Sequence, residues 1–194
     1  MTIEKFRTAL GGFRPRLLAD EDGQARAAVA AVLRLGENGP ELLFIQRAEH
    51  PDDPWSGHMA FPGGRVDPGD VDPLAAALRE TREEVGLDLE AVGEEIGRLS
   101  DVPAIGRGRL MSMVITPFVF ALESSPALVT NHEVAAAVWV PVGFIADHSN
   151  RETMSYRRAG LSLELPCYHY RDHLIWGMTL GMVDELLSLV SHLH

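Results

Sequence analysis

The sequence predicts a mixed α+β sandwich, and three observations carry that expectation. Apolar, strand-like runs occupy 26–35 and 41–47; a helical pattern opens at Asp72-Pro73; further strand-like runs follow before an amphipathic stretch over 175–193. Strands, helix, strands and helix in that order suit helices packed on a central mixed sheet.

The elements follow one by one. Ile3, Phe6 and Leu10 recur at spacings of three and four, which predicts a short helix over 3–10 stopped by Gly11-Gly12. The run Arg26 to Leu35 fits a helix or a buried strand by pattern alone. The hairpin-like Gly36-Glu37-Asn38-Gly39-Pro40 and the strand-like Glu41 to Arg47 decide for strand. Residues 48–57 form a Pro- and Asp-rich loop, and Met59 to Pro62 is a short extended segment before Gly63-Gly64. From Asp70 onward Leu74, Ala77, Leu78, Thr81 and Val85 trace a helical face. Asp72 caps it, Pro73 takes its first position and Gly86 stops it. Strands are expected at 94–100, 111–121 and 134–140, and a hairpin-like pair at 153–157 and 161–169. The last helix is expected over 175–193, and Trp139 and Trp176 read as core residues.

A chain of 194 residues is most simply a single domain over 1–194, and a hydrophobic share of 46% with 23% charged residues is that of an ordinary globular protein. The formal net charge is −11, which speaks against a nucleic-acid partner, because phosphate-backbone binding needs clustered cations. A small phosphate substrate remains compatible if metal ions supply the positive charge. Cys167 is the sole cysteine, so an internal disulfide and a cysteine-based zinc site are both excluded; it reads as a small, half-buried side chain. The charged N-terminus has no signal-like apolar region and no run reaches the ~18 apolar residues of a spanning helix. The expected setting is therefore the cytoplasm, with no membrane partner, and a homodimer is left open. The histidines lack zinc-hydrolase spacing, and no phosphate-binding P-loop is present.

The informative stretch runs from Gly63-Gly64 through Asp70 to Arg79-Glu80-Thr81-Arg82-Glu83-Glu84-Val85-Gly86-Leu87. Helical residues advance about 100° each, so Glu80 and Glu84 lie about 40° apart, with Glu83 about 60° to the other side of Glu80. Three carboxylates on one face repel one another unless something positive sits among them. Arg79, four residues before Glu83, can compensate one. The others suit Mg²⁺ or Mn²⁺, hard cations that prefer oxygen ligands and keep several waters. Gly63-Gly64 lets backbone approach the same spot. A solvated acidic face would explain the glutamates alone, but not Phe61 to Gly64 before them and Gly86-Leu87 after.

With those residues in place, the stretch about 64–87 resembles the Nudix box, G-x5-E-x7-R-E-U-x-E-E-x-G-U with U aliphatic. Arg79 to Leu87 match its second half, with Thr81 in place of the aliphatic residue. In the first half Asp70 stands where Glu is expected, and the gap to Arg79 is one residue longer. The resemblance implies a Nudix-type α/β/α sandwich and a metal-dependent diphosphatase acting on a small nucleotide substrate. It also implies Glu80 and Glu84 as principal ligands of Mg²⁺ or Mn²⁺, Glu83 as a third ligand or the partner of Arg79, and the Gly64 carbonyl as a further donor. Glu133, in the loop before the strand at 134–140, resembles the family's later catalytic carboxylate; a solvated loop acid is the other reading.

Upstream, Leu43 to Ala48 and Gly57 to Gly64 match the two ends of L-L-T-x-R-[SA]-x3-R-x3-G-x3-F-P-G-G, a pattern of the coenzyme A-directed branch. Ile45 replaces its Thr, Asp52 its second Arg, and the spacer is one residue longer. That resemblance implies coenzyme A or a derivative as substrate. ADP-ribose, dinucleoside polyphosphates and nucleoside triphosphates are the alternatives, and a Nudix-fold ligand sensor is the non-enzyme one. Arg47, His58, Arg107 and Arg109 are the candidate substrate contacts, each with a structural or solvated surface role as its alternative.

Overall fold

The computed structural model describes residues 1–19, 23–106, 109–124, 126–158 and 161–191. In chain order these give α1 (Ile3–Gly12), β1 (Ala25–Gly36), β2 (Gly39–Arg47), β3 (Met59–Ala60), β4 (Gly63–Arg65), α2 (Pro73–Val85) and α3 (Leu89–Val92). There follow β5 (Gly93–Arg98), β6 (Val102–Gly106), β7 (Arg109–Leu122), β8 (Val134–Pro141), α4 (Val142–Ala146), β9 (Arg151–Arg158), β10 (Leu161–Tyr170), β11 (His173–Trp176) and α5 (Gly177–Ser191).

The main sheet is mixed. Its path runs β3-β2-β1-β7-β5, with β4 joined to β1, β6 to β7 and β8 to β2; β1 and β7 are parallel, the other pairs antiparallel. β1 is apolar without alternation because both its faces are covered: Ala27, Ala31 and Leu33 belong to one core, Ala28, Ala30 and Val32 to the other. The first core is closed by Phe6 and Leu10 of α1 and by Leu180, Val183 and Leu186 of α5. The second is closed by Ala76, Ala77 and Val85 of α2. Helices on both faces make the expected α/β/α sandwich. The second, three-stranded sheet is β11-β10-β9. No described helix is long and apolar enough to cross a membrane.

Several expectations need correction. The last helix begins at Gly177, not at 175: Ile175 and Trp176 end β11, paired to Tyr168 and Cys167, and Gly177 turns the chain with a φ of 66°. The strand expected over 94–100 ends at Arg98, and β6 follows it as a separate strand whose Pro103 weakened the sequence signal. Cys167 is fully buried rather than half-buried. Trp139 and Trp176 are only partly buried. The guanidinium of Arg34 lies over the Trp139 ring, and Trp176 packs against His58 and Tyr156.

Candidate active site

Helix α2 is set by its ends. The Asp72 side chain accepts from Ala75 N–H, Pro73 opens the first turn, and Gly86 closes the helix in the left-handed region with a φ of 69°. Its inner face packs Ala76, Ala77 and Val85 on β1, small residues that hold the helix near the sheet. Thr81, the departure from the aliphatic pattern, is buried with its hydroxyl donating to the Ala77 carbonyl. That internal bond lets a polar residue occupy an apolar position.

Glu84 is 2% exposed. Its Oε2 accepts from Gly63 N–H at 2.8 Å, and its Oε1 stands 4.0 Å from Arg47. Burial pushes its carboxyl up to about 8, opposed by the Gly63 N–H and by Arg47, while Glu80 and Glu133 add to the rise. Gly63 is required by crowding: its φ is 146°, and a Cβ would lie 2.2 Å from the Ala28 carbonyl oxygen of β1.

Glu80 lies beside Gly64. Burial raises its carboxyl, the hydrogen bond and charge of Arg79 lower it, and Glu83 and Glu133 raise it again. Glu83 is different: its side chain is 56% exposed and 3.7 Å from Arg79. Arg79 instead makes its shortest contacts with Asp70 and Glu80. Its Nε and Nη2 bind the Asp70 carboxylate at 3.1 and 2.9 Å, and Nη1 donates to Glu80 at 3.0 Å. The pairing of Arg79 with Glu83 is present at 3.7 Å, but Arg79 holds Asp70 and Glu80 more closely, and Asp70 gains a defined place. Its side chain is 7% exposed, and the hydrogen bonds from Arg79 and the Asp67 N–H hold its carboxyl below the usual range. Among the described residues no three His, Cys, Asp or Glu side chains are gathered closely enough to hold a cation by themselves.

Glu133 is brought to the site by the backbone. Val129 N–H donates to the Val85 carbonyl and Asn131 N–H to that of Glu84, so the loop before β8 is stitched to the last turn of α2. The Asn131 side chain then accepts from Glu133 N–H. The Glu133 carboxylate is exposed, yet its charge acts on both Glu80 and Glu84. Sequence reasoning missed Asn131; an Asn two residues before the acid, able to form an Asx turn, is the signal that was available.

Arg47 ends β2 on the side that faces α2. Its Nε donates to Asp53 at 2.6 Å, and Asp53 also accepts from Trp55 N–H, so the 48–58 loop grips the arginine. His58 lies among Asp53, Arg47 and Glu49, and burial lowers its pKa. Arg107 lies outside the described residues, as does the side chain of Arg109; only the backbone of Arg109, at the start of β7, is described. A cleft of about 610 Å³ runs along α2; it shares Asp70, Arg79 and Glu83 with the site and is lined further by Leu78, Arg82, Asp88 and Glu90.

This arrangement has relatives. The NUDIX domain family matches residues 24–158. A protein of Enterobacter sp. (strain 638), described as an uncharacterized Nudix hydrolase NudL, is 33% identical over 189 residues, covering 96% of this chain and 93% of its own. Its namesake in Cronobacter sakazakii is 32% identical over 192 residues, with the same coverage of 96% and 93%. Among solved structures, a MutT/nudix family protein from Enterococcus faecalis shares the fold with a TM-score of 0.57 at 17% identity, over 98% of this chain and 70% of that one. The Ap4A hydrolase of C. elegans does so with a TM-score of 0.53 at 18% identity, over 86% and 98%. The chain belongs to the Nudix family. It is a Nudix hydrolase.

Proposed function

We propose that this hydrolase cleaves the diphosphate linkage of a nucleoside diphosphate derivative with the help of Mg²⁺ or Mn²⁺, and that its substrate is coenzyme A or a coenzyme A derivative. The observation that carries the reading is the pair Glu80 and Glu84, drawn out of water against Gly63-Gly64, with both carboxyls pushed upward by burial. Two desolvated carboxylates and backbone oxygen form a hard donor set, which fits a cation that keeps part of its water shell. Glu80, Glu83, Glu84 and the Gly64 carbonyl would hold it. When bound, such a cation offsets phosphate charge and lowers the pKa of water.

The rest falls to the side chains. Arg79 holds Glu80 in place through Nη1 while Asp70 fixes its other edge. Glu133 takes the proton of the water whose oxygen bonds to one phosphorus, as that phosphorus loses its bond to the bridging oxygen and the second phosphate leaves with it. Arg47, held through Nε by Asp53 and with Nη1 4.0 Å from Glu84, offers a planar fork that suits a phosphate oxygen. His58, Arg107 and Arg109 contact the remainder of the substrate.

Coenzyme A is favoured by Arg47-Ala48 and Phe61 to Gly64, the matching ends of the upstream pattern. The substrate's 3′-phosphate needs a cation. Asp52 stands where the pattern has its second arginine, so Arg47, Arg107 or Arg109 takes that part. The test is kcat/KM for coenzyme A against dephospho-coenzyme A, ADP-ribose and dinucleoside polyphosphates with Mg²⁺ or Mn²⁺. A 3′-phosphate contact favours coenzyme A by roughly ten- to a hundredfold, the worth of a charge-assisted hydrogen bond. A preference for ADP-ribose overturns the coenzyme A assignment, and inertness toward all of them overturns the diphosphatase reading.

A further inference from the structure

From the glutamates outward, the site continues into a row of rings. Arg47, beside Glu84, lies close enough to His58 for its charge to bear on the imidazole. The His58 ring packs on Trp176 with centroids 4.9 Å apart at 57°, and Trp176 packs on Tyr156 at 5.3 Å and 42°. These rings come from three separate places: the end of the 48–58 loop, β11 and β9. All three are partly exposed, unlike the Phe44–Phe61 pair sealed in the core. Supports behind them are specific. Trp55 Nε1 donates to the Ile105 carbonyl and Ile105 N–H to Met178 Sδ, which ties the loop, β6 and the first turn of α5 together.

We infer that His58, Trp176 and Tyr156 form a subsite for the planar base of the nucleoside moiety, on the Arg47 side of the glutamate pair. The inference rests on the diphosphatase reading and adds where the nucleoside points. Stacking needs flat, partly dry surfaces, and burial lowers the His58 pKa, which favours its neutral ring. The cleft along α2 contains no aromatic ring among its lining residues, so it offers a base no aromatic face.

The test measures how much tighter the metal-loaded protein binds ADP than inorganic diphosphate, by titration calorimetry. Stacking on these rings is worth about five- to a hundredfold in that ratio. Tyr156→Leu and Trp176→Leu are expected to reduce the ratio by at least fivefold, and Trp176→Phe to restore most of it. A purely structural role would weaken both ligands together and leave the ratio alone. Tyr156→Leu, on the outer sheet, keeps the test valid if Trp176→Leu fails to fold. A ratio within twofold of the parent in an active Tyr156→Leu enzyme overturns the subsite alone. Failure of the parent enzyme to cleave any nucleoside diphosphate derivative overturns both readings.

Discussion

A methyl group on Gly64 would stand 2.4 Å from Oε1 of Glu80. The bare backbone and the carboxylate therefore occupy neighbouring space with no room for a side chain between them. Gly64→Ala can be relieved by swinging the glutamate aside, so the fold should survive while kcat drops by at least tenfold. Gly63→Ala meets backbone instead, at a φ closed to other residues, and should lower Tm as well. Turnover and thermal melts on the two variants separate these outcomes; an active Gly64→Ala enzyme would remove Glu80 from the site.

Glu84→Gln keeps shape and the acceptor for Gly63 N–H but removes the charge. Turnover should fall by orders of magnitude. Stability should move the other way. With its carboxyl raised to about 8, native Glu84 holds a proton that the unfolded chain, near 4.3, has released. Metal-free parent protein should therefore lose stability as pH rises from about 4.5 to 8, by at most about 1.4 kcal/mol per pH unit. The glutamine variant should flatten that slope. Denaturant titrations at several pH values with chelator present read it directly, and parallel slopes would contradict the burial argument.

Asp70→Asn should leave Arg79 without its best partner. The nearly buried, charge-assisted pair makes a loss of about 1.5–3 kcal/mol the expected scale, and Glu80 loses its positioned neighbour. Because the Asp70 carboxyl is held below its ordinary value, its contribution is present above pH 4 and fades as pH falls further. Activity at pH 7 should fall together with Tm. Full activity in Asp70→Asn would show that Arg79 needs no anchor.

Removal of divalent cations with EDTA should abolish turnover, and returning Mg²⁺ or Mn²⁺ should restore it. The same additions should raise Tm in proportion to the logarithm of free metal, as expected when a ligand binds only the folded state. Calorimetric scans across a metal series check this; activity in rigorously metal-free buffer would defeat it.

Much of this was readable in the residues. The caps of α2, Asp72 and Gly86, announced the helix that carries the glutamates, and Gly36 to Pro40 separated strand from helix for β1. What escaped notice depended on distant partners. β6 is short and contains Pro103, so only its pairing with β7 makes it a strand. β11 hid inside an amphipathic pattern because Ile175 suits either period, and pairing with β10 decided the matter. The role of Asp70 was opaque because it depends on a loop one residue longer than the family pattern, which brings a shorter side chain to Arg79. Nor could spacing reveal that Glu83 faces solvent, since a helical wheel gives direction around an axis and not depth.

The ties from Val129 and Asn131 to the last turn of α2 mean that Glu133 travels with the helix, not with the chain that leads to it. Insertions ahead of Val129 should therefore be absorbed without disturbing the carboxylate, whereas one inserted residue between Val129 and Glu133 should throw it out of reach. That makes the segment after β7 a natural place to graft new recognition elements. The reactive centre is, in effect, mechanically insulated from its own approach loop.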